Sequence, residues 1–445
     1  MTAVDREARE VPEAPAWDRR LDRRAAALLF LVVWVVYLLT ATYDEVQIND
    51  NRAVNISAWS LGTQGTLALP EDWEGQNRWI VRGADDRVYS NRFPGAILWA
   101  TPFHAVAEAV LGRGVPDHSI FLNHAPGGVA AATATALAVL ATFLVLRRLA
   151  DRRLAIGATL VVAFATGTWS VSADSMWTHG LTHLTLTLGV LASASGHDAR
   201  GGLAFAAAAF TRPQTAVVAA VVGLWRGAHL RSVKPVVIIG LVSAVGVAAL
   251  SLYSYRLFGT LLPVAGYSGS RITAVATTSG GVFGERLMHT LANPRRGVLV
   301  YTPFLLVLLP FAWRGWRVSP WWVRASAIAG LVYLVVQLRA NTWHGGSGFF
   351  GSRLALETVV LAAPLLLRTW QICVSKVPIL RIACLTLVAA SFALHTFGAL
   401  RPVPPNDQRA LEVEIEKLCE ANPDLEGCPT SEAQSTAQSS EGADG

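Results

Sequence analysis

Long apolar runs alternate along the chain with short clusters of arginine, and the runs have the length of membrane helices. A bilayer core is crossed by about 20 predominantly apolar helical residues. The first run, about Ala25 to Ala41, follows Arg19, Arg20, Arg23 and Arg24 and lacks a small-residue cleavage site. It reads as a retained first span, with its basic flank and the N-terminus in the cytoplasm. The polar stretch Thr42 to Phe93 is then outside by alternation. Pro94–Leu111 is apolar, but as a span it would turn Arg147, Arg148, Arg152 and Arg153 outward, against the preference of basic residues for the inner face. It is therefore expected to lie as a helix at the outer interface.

Further spans follow from the same pattern. The second is about Ile120–Leu146 and the third about Leu154–Ser172, and a fourth returns to His197, Asp198 and Arg200. Gly201–Leu224 is interrupted by Thr211-Arg212-Pro213 and both its ends look cytoplasmic. That predicts a hairpin of two short helices with Arg212 buried and bonded to carbonyls at the break. Val236–Tyr253 leads out to a loop, Phe258 to Arg296. An eighth span returns to Arg314, Arg317 and Arg324, and Ala325–Val336 leads out to the Gly-rich loop Asn341–Ser352. A tenth span returns to Arg368 and Lys376, and Ile379–Phe397 ends outside. The expected fold is an all-α polytopic membrane protein of about 11 transmembrane helices, with a long first extracytoplasmic loop containing juxtamembrane helices. Its parts are a cytoplasmic tail 1–24, a membrane domain 25–400 and an extracytoplasmic tail 401–445. In that tail Cys419 and Cys428 sit where a disulfide is chemically permitted, and the end is too polar to bury a core. Cys373 and Cys384 read as packing residues.

Composition supports this picture. Of the 445 residues, 52% are hydrophobic and 15% charged, against about 25% in soluble domains, and mean hydropathy is +0.40. The formal charge of +6 matters less than its placement. The sequence carries no P-loop, dinucleotide fingerprint or zinc-ligand spacing, and nothing in it points to nucleic acid.

Basic residues on the inner face are explained by orientation, so the charged residues outside are the informative ones. They include Asp44, Glu45, Asp50, Arg92, Arg295, Arg296 and Arg353, with His179, Trp343 and His344 beside them. Arg353 opens an apolar run, where an ionisable residue is costly and usually functional. Guanidiniums suit a phosphate because their fork donates two parallel hydrogen bonds. A carboxylate in the same place repels phosphate and suits another task, such as taking a proton from a hydroxyl.

Several segments, in this order, resemble the polytopic GT-C glycosyltransferases, in particular the bacterial phospholipid-carrier-dependent branch related to protein mannosyltransferases. They are Asp50-Asn51-Arg52 to Gly65, Tyr89-Ser90-Asn91-Arg92-Phe93-Pro94-Gly95, and Thr168-Trp169 with Trp177-Thr178-His179-Gly180-Leu181. Asn293-Pro294-Arg295-Arg296-Gly297 and Trp343-His344-Gly345-Gly346 to Arg353 complete the series. The resemblance covers about residues 25–400. It implies inverting transfer of a sugar from a polyprenyl-phosphate donor to a glycan, lipid or protein acceptor at the outer face of a bacterial plasma membrane. Asp50 is then the general base. Arg353, Arg296, Arg295 and Arg92 hold the donor phosphate, and His179, His344 and Trp343 contact substrate. Where the family carries a second carboxylate directly after the first, this chain has Asn51. Asp44-Glu45 offers an acidic pair six residues earlier, as a second carboxylate or as ligands for a divalent metal, the one cofactor the sequence leaves open. Two rival readings are a transporter or flippase of a lipid-linked substrate and a non-catalytic envelope-assembly protein of the same fold.

Overall fold

The computed structural model describes residues 18–43, 49–74, 79–111, 125–267, 270–346 and 348–401. Within them the chain forms seventeen α-helices, and the apolar runs account for most of them. The first is α1 (Arg19–Thr40), capped by the Asp18 carboxylate on the backbone N–H groups of Arg20 and Leu21. The polar stretch that follows contains α2 (Asn49–Gln64) and a hairpin of β1 (Ile80–Arg82) with β2 (Val88–Ser90). Val81 stands opposite Tyr89 in that antiparallel pair. This small sheet departs from the all-helical expectation: Gly83-Ala84-Asp85-Asp86 turns the chain, with Asp86 at φ +65°, and lets two short β-formers pair.

Next come α3 (Pro94–Leu111), α4 (Ala125–Leu146) and α5 (Arg152–Phe164), then a π-helical turn over Thr168–Ala173. After it come α6 (Thr178–Ala194), α7 (Asp198–Thr211), α8 (Ala216–Leu230) and α9 (Lys234–Phe258). The break between α7 and α8 falls at Arg212-Pro213, where the expected hairpin turns and where Pro213 cannot extend the preceding helix. The loop after α9 holds α10 (Ser270–Thr277) and α11 (Gly280–Ala292). The expected eighth span is fragmented into α12 (Val298–Tyr301), α13 (Leu305–Leu308) and α14 (Ala312–Val318), interrupted near Pro303 and Pro310. The last long helices are α15 (Trp321–Ala340), α16 (Leu356–Ile372) and α17 (Pro378–Leu400). Among the described residues six helices are long and apolar enough to cross a bilayer: α1, α4, α9, α15, α16 with its following turn to Lys376, and α17. The protein is thus multi-pass; α3 is not among the six.

Small residues let the helices approach closely, as membrane packing favours. A Cβ on Gly246 of α9 would come within 2.0 Å of the Ala206 carbonyl oxygen of α7. The main core gathers Phe143, Phe205, Leu186 and Tyr333 around the alanine-rich α4. Cys373 and Cys384 are buried and unbonded in a second core cluster, consistent with packing.

The two ends of the bundle differ chemically. At one end Arg147 makes a double contact with the buried Asp22 carboxylate at 3.1 Å, Arg148 reaches Ser195, Arg226 pairs with Asp198, and Gln371 donates to the Leu149 carbonyl. This end carries the arginines assigned to the inner face. At the other end the side chains of Thr42 and Asp174 and of Asn51 and Ser175 meet at 2.6 Å, tying α1 and α2 to the turn before α6. Gly95 at the start of α3 abuts Thr211 beside the α7–α8 break.

Candidate functional site

Asp50 is the second residue of α2, where a carboxylate favours the positive end of the helix dipole. It is 7% exposed. The Gly-rich loop approaches it from the opposite direction along the chain. Gly345, Gly346, Gly348 and Gly351 take φ of +67°, +94°, +76° and +90°, a region open to glycine at little cost. This winding delivers Arg353 to the start of α16.

Arg353 Nη2 lies 3.5 Å from Asp50 Oδ2, and Arg92 Nη1 lies 3.5 Å from Asp50 Oδ1. Both separations exceed the about 2.7–2.9 Å of a tight charge-assisted bond. Two residues of the first polar stretch, Asp50 and Arg92, therefore meet Arg353, which lies far along the chain. The guanidiniums touch the carboxylate loosely, with no sugar-wide gap between. Arg353 stacks on Trp177 at 4.1 Å, and Arg92 lies over Trp79 at 5.0 Å and donates to the Tyr267 hydroxyl. Burial lowers the Arg353 pKa to about 10, with Asp50 opposing the shift, so the guanidinium stays charged at neutral pH.

A second, deeper layer continues from Arg353. Its Nε donates to His179 Nε2 at 3.1 Å, and His179 Nδ1 lies 2.6 Å from Glu357 Oε1. Arg212 Nη1 donates to the same carboxylate oxygen at 3.1 Å and rests against the imidazole. His179 and Glu357 are fully buried. Arg212 is thus bonded to a carboxylate and, through the Gln337 amide oxygen, to α15, rather than to carbonyls at the break. Each of these residues sits at a helix end: His179 is second in α6, Glu357 second in α16, and Arg212 lies between α7 and α8. Three guanidiniums face two carboxylates among the described residues, so with neutral His179 the cluster bears one net positive charge.

The sequence pattern named Asp50, Arg92, Arg353 and His179, and the structure brings these four together. It places the others differently. Arg296 is buried, donating to the Phe349 carbonyl at 2.5 Å, with its guanidinium 4.2 Å from the ring. The same ring faces Arg353 at 5.3 Å, so Arg296 borders the cluster from behind Phe349. Arg295 is exposed, and its backbone N–H closes a turn onto the Asn293 side chain. Trp343 is buried and stacks on His289 at 4.5 Å, while His344 Nδ1 accepts from the Gly346 N–H at 3.0 Å; these contacts shape the loop. Asp44 and Glu45 lie outside the described residues, as do Cys419 and Cys428. Glu357 and Tyr267 were missed. Glu357 had a signal: it is a lone carboxylate within the apolar run after Arg353.

The described part of the site does not suit a divalent metal. Its outer carboxylate, Asp50, already faces two guanidiniums, and no group of three His, Cys, Asp or Glu converges among the described residues. Beneath the cluster, an apolar cavity of about 280 Å³ runs between α5, α13, α16 and α17. Thr166 and Val359 line it and also line a small cavity reaching Ser352, next to Arg353. Comparison with protein-family models and with curated proteins found no match.

Proposed function

We propose that the protein is a membrane glycosyltransferase of the GT-C type. It moves a sugar from a polyprenyl-phosphate donor to a cell-envelope acceptor, with inversion at the anomeric carbon. The observation that carries this reading is the meeting of Asp50, Arg92 and Arg353 at one buried, net-positive place. The donor's phosphodiester oxygens compete with Asp50 for the same guanidiniums, and the long 3.5 Å contacts are easily exchanged. Once the phosphate has drawn those guanidiniums to itself, Asp50 is free to accept the proton of the acceptor hydroxyl. The hydroxyl oxygen bonds to the anomeric carbon, the bond from that carbon to phosphate oxygen breaks, and polyprenyl phosphate leaves with the electron pair. Arg353 and Arg92 neutralise the leaving charge. The apolar cavity of about 280 Å³ suits part of the prenyl chain.

In this reading the Asp50 end is extracytoplasmic, the basic end and the N-terminus are cytoplasmic, and the membrane is a bacterial plasma membrane. The test is transfer by purified protein in lipid nanodiscs, offered a panel of polyprenyl-phosphate sugars. Consumption of one donor is expected. Asp50→Asn, with unchanged melting, is expected to slow transfer by about 10²-fold or more. A near-normal rate in that variant rules Asp50 out as the base.

One observation favours a second reading, transport of a lipid-linked anion: Arg212, His179 and Glu357 are ionisable and lie inside the helix bundle. Against it, all three stand at helix ends beside the polar loops, whereas transporters hold substrate near the midplane. Proteoliposomes separate the two, since a transporter moves the lipid-linked sugar with its glycosidic bond intact.

A further inference from the structure

We propose, building on the reading of this cluster as the donor-phosphate site, that His179 and Glu357 are positioning residues that aim the Arg353 guanidinium at the anion. The hydrogen bonds form one directed chain. Arg353 Nε–H donates to His179 Nε2, which accepts only if that nitrogen carries no proton. The imidazole proton is then on Nδ1, and Glu357 Oε1 at 2.6 Å receives it. Arg212 donates to the same Oε1 and balances its charge. With Nε anchored and its face on Trp177, the Arg353 guanidinium has one orientation. Its Nη edge is turned toward Asp50 and, with donor bound, toward phosphate.

Without the carboxylate, the Arg212 Nη1 donor 2.9 Å from Nδ1 favours a bare nitrogen there, the opposite tautomer. The alternative puts an Nε2–H against the Arg353 Nε–H, donor facing donor, and turns the guanidinium away. Simple helix packing does not call for this chemistry, because buried ion pairs seldom exceed apolar side chains in stability.

The test uses the full chain in nanodiscs and dioctyl phosphate, a phosphodiester that keeps one negative charge throughout the neutral range. Wild type is expected to bind it. His179→Gln places an amide oxygen near the position of Nε2, and is expected to bind within about threefold of wild type. His179→Phe and Glu357→Leu are expected to bind roughly tenfold more weakly, the scale of one lost charge-assisted hydrogen bond. Equal binding by all variants overturns the proposal, and so does a His179→Gln protein as weak as His179→Phe. Should the substitutions prevent folding, nitrogen NMR of the wild-type histidines decides: a protonated Nδ1 and bare Nε2 at His179 support it, and the opposite tautomer overturns it. If wild type ignores the diester, the donor-phosphate reading falls instead, while the NMR still reports on the positioning chain.

Discussion

Asp174 shows how strongly single positions in the polar end are tuned. It caps the π-helical turn before α6 and accepts from the Thr42 hydroxyl at 2.6 Å and, through its carbonyl, from the Thr42 N–H at 2.9 Å. Burial raises its carboxyl pKa to about 6, against the pull of Thr42. An acid whose pKa is raised by folding holds more protons when native than when unfolded. Between its ordinary value near 4 and about 6, stability therefore falls as pH rises. Asp174→Asn keeps an oxygen for Thr42 and removes the half-buried charge. It is expected to melt higher than wild type at pH 7, with the gap closing near pH 4, as differential scanning fluorimetry across that range will show. The same scale explains what could be read in advance. Asp50, Arg92 and Arg353 stand out because charge in an outward loop lacks the orientation argument that accounts for inner arginines. Arg295 and Arg296 looked equivalent in sequence, yet one faces solvent and the other a Phe349 carbonyl, since a one-residue step in a turn reverses direction. Glu357 is hard to read in advance because it lies within a helix rather than a loop, and a single carboxylate barely dents an apolar run.

Between elements, two kinds of contact hold the bundle. One is the buried pair of Asp22 on α1 with Arg147 at the end of α4, 0% and 5% exposed. Removing one partner strands the other charge, so Asp22→Ala is expected to cost about 3–5 kcal/mol in a detergent-based unfolding titration. The other is backbone proximity at small residues. Gly246→Leu drives a side chain into the Ala206 carbonyl and is expected to destabilise by at least about 1–3 kcal/mol, with the α7–α9 crossing forced apart. Element boundaries were legible wherever apolar length and basic flanks agreed, as in α1, α4 and α9. The eighth run was not. Its hydropathy suits a span, but Pro303 and Pro310 each remove a backbone donor, and the stretch becomes three short helices. The hairpin at Arg212-Pro213 was foreseen, because a basic residue beside a proline in an apolar run cannot be continuous helix facing lipid. Its partners were not, because Glu357 lies 145 residues further along the chain.

For the molecule as a whole, the separation of an arginine-rich end from the Asp50 end gives the proposed orientation a direct check. In a background without native cysteines, Arg87→Cys in the hairpin turn is expected to react with a membrane-impermeant maleimide in intact cells. Arg200→Cys, exposed at the opposite end, is expected to react only after permeabilisation. The reverse pattern would place the carboxylate cluster inside and remove the envelope acceptor from the proposal.

The tie between Arg212 and Glu357 also has a consequence for biosynthesis. The ribosome delivers the short hairpin long before the helix that bears its counter-ion. Until that later segment arrives, a guanidinium and an imidazole wait inside the nascent bundle without their carboxylate. Chains that stop short of residue 357 lack that counter-ion, so arrival of the late helix is expected to be the step that seals the fold.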